Sequence, residues 1–269
     1  MAQATVAGSS GFRESGSEVI LRTENLVKRF GGIVALDNVN IEIERGKVTL
    51  LIGPNGSGKT TLANVITGFI EPDSGRVIYK NRDITNLPAH ERARIGIART
   101  FQIPKPFKNL TVLENVMVAA ERNPGENPYL SALFKRRWVD FEEKLAARAF
   151  EVLRWVGLEE KWDSKASDLS GGQMKLLEIA RSIIRGAELI IMDEPAAGVN
   201  PKLVHDIFER IRMLSRERGL TFLIIEHRIG LISGYIDYAY AMNMGMVISR
   251  GDPERVFNDR VVLESYLGG

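Results

Sequence analysis

The period of the apolar positions changes along the chain. Over residues 18–43 apolar and polar positions alternate, broken at Phe30-Gly31-Gly32, which predicts two short strands joined by a turn. Lys47-Val48-Thr49-Leu50-Leu51-Ile52 reads as a further strand ending at Gly53, and a helix is expected over 60–67. Residues 75–79 read as another strand. Between about 88 and 167 the texture is helical: Trp138, Phe141, Leu145, Ala149, Val152 and Trp155 or Val156 recur at three-to-four spacing, with charges between them. Asn-Pro-Gly-Glu-Asn-Pro at 123–128 interrupts this region as a loop. After Ser170 the β/α alternation resumes, with a helix to about Arg185, a buried strand at 189–192, a helix over 201–218 and a strand at 221–225. The expected fold is an α/β core interrupted by a helical subdomain, without internal repeats.

Composition changes this picture little. The chain has 269 residues, 44% of them hydrophobic, enough for a core in one large domain or two modest ones. Lys and Arg number 36 against 34 Asp and Glu, so no strong field draws the chain to nucleic acid or anionic lipid. The Lys135-Arg136-Arg137 cluster is short and reads as a solvated face. Absence of cysteine excludes disulfides and thiol chemistry. No apolar run approaches the roughly 18 residues that span a bilayer, and no secretory signal is evident. Any membrane work therefore needs other subunits. Residues 1–17 are small and polar, a flexible tail.

Three stretches carry chemistry. Gly53, Pro54, Asn55, Gly56, Ser57, Gly58, Lys59 and Thr60 match G-x-x-x-x-G-K-[ST] in full, between a strand and a helix. The glycines let backbone N–H groups curl around a β-phosphate, and the following helix offers its positive end. Lys59 supplies a charge for the β- and γ-phosphates, and the Thr60 hydroxyl a ligand for Mg²⁺; Thr61 follows in the first helical turn. Kinases, GTPases and motors share such a loop.

The second stretch, Leu189-Ile190-Ile191-Met192-Asp193-Glu194, puts two carboxylates at the tip of an apolar strand. Two acids can simply cap a strand, but in a parallel sheet this tip lies beside the phosphate loop. There Asp193 would hold Mg²⁺ and Glu194 would polarise the attacking water as general base.

Leu169-Ser170-Gly171-Gly172-Gln173 is the third. Ser170 is a natural N-cap and Gln173 completes a capping box, so an ordinary capped helix is one reading. Gly171 and Gly172 nevertheless occupy the first turn, where other residues favour helix by up to about 1 kcal/mol each. Paired glycines there suit close approach of a phosphate to bare N–H groups. Lys59 already serves this chain's own nucleotide, so a second chain's ATP is the attractive target.

This turn resembles the signature of ATP-binding-cassette (ABC) ATPases, and it lies between the loop and the acidic strand in the family's order. The resemblance implies head-to-tail cassettes, each signature closing on the γ-phosphate of ATP bound by its partner. It also implies an antiparallel β subdomain and an inserted α-helical signature subdomain on the phosphate-loop core. Residues 18–269 are then one ABC ATPase domain, with core at 18–88 and 168–269 and helical subdomain at 89–167. By the same resemblance Phe30 stacks on adenine, Gln102 touches Mg²⁺ or the attacking water, and His227 contacts the γ-phosphate. Asn200 stands where the broader family commonly has aspartate.

From about Val19 onward the chain is similar to the ATPase subunits of branched-chain, hydrophobic amino acid importers. The similar stretches are Arg29-Phe30-Gly31-Gly32, Gly96-Ile97-Ala98-Arg99-Thr100-Phe101-Gln102, Thr111-Val112-Leu113-Glu114-Asn115-Val116, Glu194-Pro195-Ala196-Ala197-Gly198-Val199-Asn200-Pro201 and residues 256–268. In this branch Asn200 is ordinary, and residues 123–135 fall where the helical subdomain lengthens. The resemblance implies a second ATPase subunit, identical or related, two membrane-spanning permease subunits and an extracytoplasmic substrate-binding protein. It places the chain at the cytoplasmic face of the membrane; permease helices are expected to dock near residues 102–113, where Pro104, Pro106 and Phe107 either shape the groove or form a rigid apolar loop. Rival readings are a lipopolysaccharide-export ATPase, a soluble cassette protein acting on ribosomes or DNA repair, and a phosphate-loop kinase. The kinase leaves the Ser170 turn and His227 unexplained.

Overall fold

The structure, a computed structural model, describes residues 18–100, 105–120, 135–227 and 229–267. Gln102, Pro104, the 123–128 loop and the 1–17 tail lie outside the described residues.

A six-stranded sheet runs in the order β11 (Met246–Gly251), β10 (Tyr238–Asn243), β4 (Val48–Ile52), β9 (Thr221–Ile225), β8 (Leu189–Asp193), β7 (Ile97–Thr100). All neighbours are parallel except β10 and β11. Every residue of β4 and β9 is buried, because the strands are covered on both faces. Period two then sorts their side chains. Leu50, Ile52, Ile190, Met192, Phe222 and Ile224 share a core with the helices. Leu51, Leu189, Ile191, Leu223 and Ile225 share another with Leu62, Val65 and Ile66, which follow the phosphate loop.

The second sheet is antiparallel: β2 (Ile33–Val39), β1 (Val19–Phe30), β5 (Ser74–Tyr79) and β6 (Arg82–Asp83), with β3 (Glu42–Glu44) also on β1. The stretch 18–43 was expected to hold two strands, and a third begins within it. Asn40 makes the break: its side chain accepts from the Asn25 N–H at 2.8 Å and donates to the Asn38 carbonyl at 2.8 Å. Side-chain bonds of this kind compete with a strand ladder.

Helices α1 (Lys59–Thr67), α2 (Ala89–Arg94), α3 (Val112–Ala119), α4 (Lys135–Val156), α5 (Gly171–Ile184) and α6 (Pro201–Arg218) follow in order. Three short ones end the chain: α7 (Ile229–Ile232), α8 (Pro253–Phe257) and α9 (Arg260–Leu267). The stripe of α4 buries Leu145, Ala149, Val152 and Val156, with Phe141 and Trp155 packed beside them. In α5 the expected face of Leu176, Leu177, Ile179, Ala180, Ile183 and Ile184 is buried throughout. No helix among the described residues is long and apolar enough to cross a membrane.

Residues 89–100, counted with the helical subdomain from sequence, hold α2 and the strand β7. β7 pairs with β8 as the sheet's edge strand, four residues long and too short to register as an apolar run. Arg92 of α2 is buried and donates through Nη1 to the carbonyls of Val65 and Ile66 at 2.6 and 2.8 Å. It thereby caps the C-terminal carbonyls of α1, where a cation is favoured. Burial pulls its pKa down to about 10.

Candidate nucleotide-binding site

Three adjacent parallel strands end together. β4 runs into Gly53, β8 ends at Asp193-Glu194, and β9, lying between them, runs into Glu226-His227. Loops at the carboxyl ends of such strands are where ligands bind.

In the loop after β4, Gly53, Gly56 and Gly58 have φ of 150°, 79° and 103°, conformations that side chains resist. Space forbids a side chain as well: a Cβ on Gly53 would lie 2.2 Å from the Met242 carbonyl oxygen, and one on Gly58 2.5 Å from that of Ala35. Asn55 and Gly56 are exposed, Pro54 half-buried and Ser57 buried, while α1 opens with Lys59, exposed Thr60 and half-buried Thr61. Lys59 Nζ donates to the Gly53 and Pro54 carbonyls, both at 2.8 Å, and to Ser57 Oγ at 3.2 Å. Its pKa is lowered by burial, against the opposing fields of Glu194 and Asp193. The loop lysine and both strand-tip acids therefore share one electrostatic environment.

Glu194 adopts φ 48° and donates its N–H to the Ile225 carbonyl at 2.8 Å. Its Oε1 lies 3.6 Å from His227 Nδ1. Phe30, at the tip of β1, is 46% exposed beside Ile33 and Val34, and Lys28 Nζ lies 5.6 Å from its ring centre. The strand β2 that follows it touches the loop at Ala35.

The Ser170 turn forms the full capping box: Ser170 Oγ accepts from the Gln173 N–H at 3.3 Å, and Gln173 Oε1 from the Ser170 N–H at 3.0 Å. Its two glycines differ. A Cβ on Gly172 would meet Leu203 Cβ at 3.4 Å, whereas Gly171 faces open space. Asn200 caps α6, accepting from the Lys202 N–H at 3.0 Å.

Several site groups are absent from the sequence reading. Arg99, on β7, pairs with Asp193 Oδ2 at 3.1 Å and also donates to Asn64 of α1. Buried Glu226 accepts from the N–H groups of Ala196 at 2.8 Å and His227 at 2.9 Å, joining the turns after β8 and β9. Lys175, buried on α5, has a pKa lowered by burial and opposed by Glu178, Asp193, Glu226 and Glu194. The available signals were an arginine inside the Gly96–Gln102 stretch and an acid directly preceding His227.

Strand, glycine loop, helix and a neighbouring acidic strand tip define a phosphate-loop nucleotide-binding protein. Residues 36–197 match the ABC transporter family. The chain belongs to that family and is one of its ATP-binding cassettes. It is 51% identical over 253 residues, 93% of this chain and 97% of the other, to the Methanocaldococcus jannaschii protein named "Probable branched-chain amino acid transport ATP-binding protein LivG". A crystal structure of the ADP conformation of an ATP-binding cassette of an ABC transporter matches with a TM-score of 0.82 and 49% identity, over 94% of this chain and all of that one. A dimeric cassette in a post-hydrolysis state bound to ADP and Pi matches with a TM-score of 0.68 and 29% identity, over 87% of this chain and 98% of the other.

Proposed function

We propose that this chain hydrolyses ATP to power an importer of branched-chain or other hydrophobic amino acids, and that it does so paired with a second cassette. The observation that carries the enzymatic reading is the convergence of Lys59, Asp193 and Glu194 at the tips of β4 and β8. The transport reading is supported by 51% identity across 93% of the chain to a protein named for branched-chain amino acid transport.

In this mechanism the β- and γ-phosphates lie over the loop, on the N–H groups of Gly56, Ser57, Gly58, Lys59, Thr60 and Thr61, and the Lys59 ammonium offsets their charge. Phe30, exposed at the tip of β1, would offer a face to adenine. Glu194 draws the proton from the attacking water, and His227, 3.6 Å from it, contacts the γ-phosphate. Thr60 and Asp193, with Gln102, would hold Mg²⁺, which when bound neutralises phosphate charge. The donor set suits that ion: the Thr60 hydroxyl, the Asp193 carboxylate and the Gln102 amide oxygen are all hard oxygen donors. Phosphate oxygens and water would complete its shell. Ser170, Gly171, Gly172 and Gln173 serve the partner's nucleotide, with open space before Gly171 for its approach.

The expected assembly has two such ATPase subunits under two permease subunits, at the cytoplasmic face, fed by a substrate-binding protein. Co-purification from native membranes tests it. Permease subunits should accompany the chain, and an amino-acid-loaded binding protein should stimulate ATP hydrolysis by the complex. Recovery of ribosomes or nucleic acid, or stimulation by lipid instead, would overturn the importer reading.

A further inference from the structure

The root of the phosphate loop is held by a group from the far end of the chain. The Gly53 N–H donates to the Tyr266 hydroxyl at 2.9 Å, across 213 positions of sequence. Gly53 is the residue at which β4 gives way to the loop, and Met242 and Ser57 wall it so closely that no Cβ fits. Its carbonyl accepts from Lys59 Nζ at 2.8 Å. The peptide groups on either side of its Cα are thus both fixed, one by Tyr266 and one by the lysine that serves the phosphates.

The reach of Tyr266 is set by how α9 is anchored. Asp259 caps this helix, accepting from the Val261 N–H at 3.0 Å, and the same carboxylate accepts from Ser249 Oγ of β11 at 2.6 Å. Val262 is buried, and Tyr266 lies four residues on, on the same face of the helix. A helix pinned to β11 at its start therefore delivers a hydroxyl to the loop near its end. Partial burial raises the Tyr266 pKa, so the group is a neutral phenol at physiological pH.

We propose that Tyr266 is a positioning residue for the phosphate loop: its hydroxyl fixes the Gly53 peptide in the orientation from which Lys59 and the following N–H groups receive the phosphates of a nucleoside di- or triphosphate. α9 is then part of the nucleotide site. The inference rests on residues 53–60 being that site.

The full-length Tyr266→Phe protein tests it, because the ring stays and one oxygen goes. Affinity for ADP and ATP should fall roughly three- to tenfold, the effect of losing one hydrogen bond. Affinity for adenosine, which has no phosphate, should stay at the wild-type value, and KM for ATP should rise with kcat nearly unchanged. In the absence of nucleotide, the Gly53 amide should exchange with solvent faster than in the wild type. Wild-type affinity for ADP would overturn the proposal, whatever the Gly53 exchange rate. So would an equal loss for adenosine, which marks general loosening of the fold. Lys59→Ala separates the two readings: ADP binding insensitive to that change sinks the site itself, whereas binding lost in Lys59→Ala yet intact in Tyr266→Phe sinks only the role of Tyr266.

Discussion

Glu194 occupies a backbone conformation, φ 48°, that costs a residue with a Cβ free energy and persists only where its surroundings impose it. Here they do: its N–H is tied to Ile225, its carbonyl accepts from the Ala197 N–H at 3.0 Å, and Glu226 holds the next turn through Ala196. The side-chain Oε1 lies 3.6 Å from His227 Nδ1 at the end of β9. Glutamine fits the same space and backbone but is no base. Glu194→Gln should therefore bind ATP with affinity within about twofold of wild type, while single-turnover hydrolysis drops roughly 10²- to 10⁴-fold. Near-normal turnover would remove Glu194 from the role. Spacing within a motif made Lys59, Asp193 and Glu194 legible in the sequence. Arg99, Glu226 and Lys175 were not, because a charge in a half-apolar stretch has no meaning until folding supplies its partner. Arg99 gains its role from Asp193, 94 positions away.

The helix α5 joins the signature turn to the core, and most of it could be read in advance. Its cap, its apolar face and its length follow from local pattern, since each depends on residues within a turn or two. The pair of glycines is where reading and structure part. Gly172 lies against Leu203 within its own chain, a contact that a sequence cannot reveal, while Gly171 has nothing before it. The two positions should respond differently to substitution. Gly171→Leu should leave the isolated subunit as stable as wild type or more so by up to about 1 kcal/mol, since glycine is the poorer helix former. It should also abolish ATP-induced dimerisation in the hydrolysis-deficient Glu194→Gln background, as followed by sedimentation. A dimer that still forms would show that the open space at Gly171 is not the seat of a partner's nucleotide. The strands β3 and β7 escaped prediction for a different reason. Each is three or four residues long, and pairing, not composition, makes it a strand.

At the scale of the whole molecule, the alternation of apolar residues in β4, β8 and β9 divides the protein into two cores, one under the helices and one under the antiparallel sheet. The site lies at the strand tips between them. A cassette that moves a permease needs a mechanical path out of that site, and the segment before α3 offers one. Asn115 of α3 accepts from the Phe107 N–H at 2.8 Å and donates to the Phe107 carbonyl at 3.0 Å, so the residue is clamped by its backbone while its ring stands 50% exposed. The guanidinium of Arg181 lies 5.5 Å from the centre of that ring. Arg181 belongs to α5, whose opposite end carries Ser170. A force on the Phe107 ring thus meets the helix that presents the signature turn. Because the ring is half exposed and its backbone clamp survives truncation, Phe107→Ala should change stability by no more than about 1 kcal/mol. In the reconstituted complex it should sharply reduce transport, and stimulation of ATP hydrolysis by loaded binding protein, with basal hydrolysis retained. Parallel loss of basal and stimulated activity would instead mark damage to the fold. Loss of neither would move the permease contact away from Phe107.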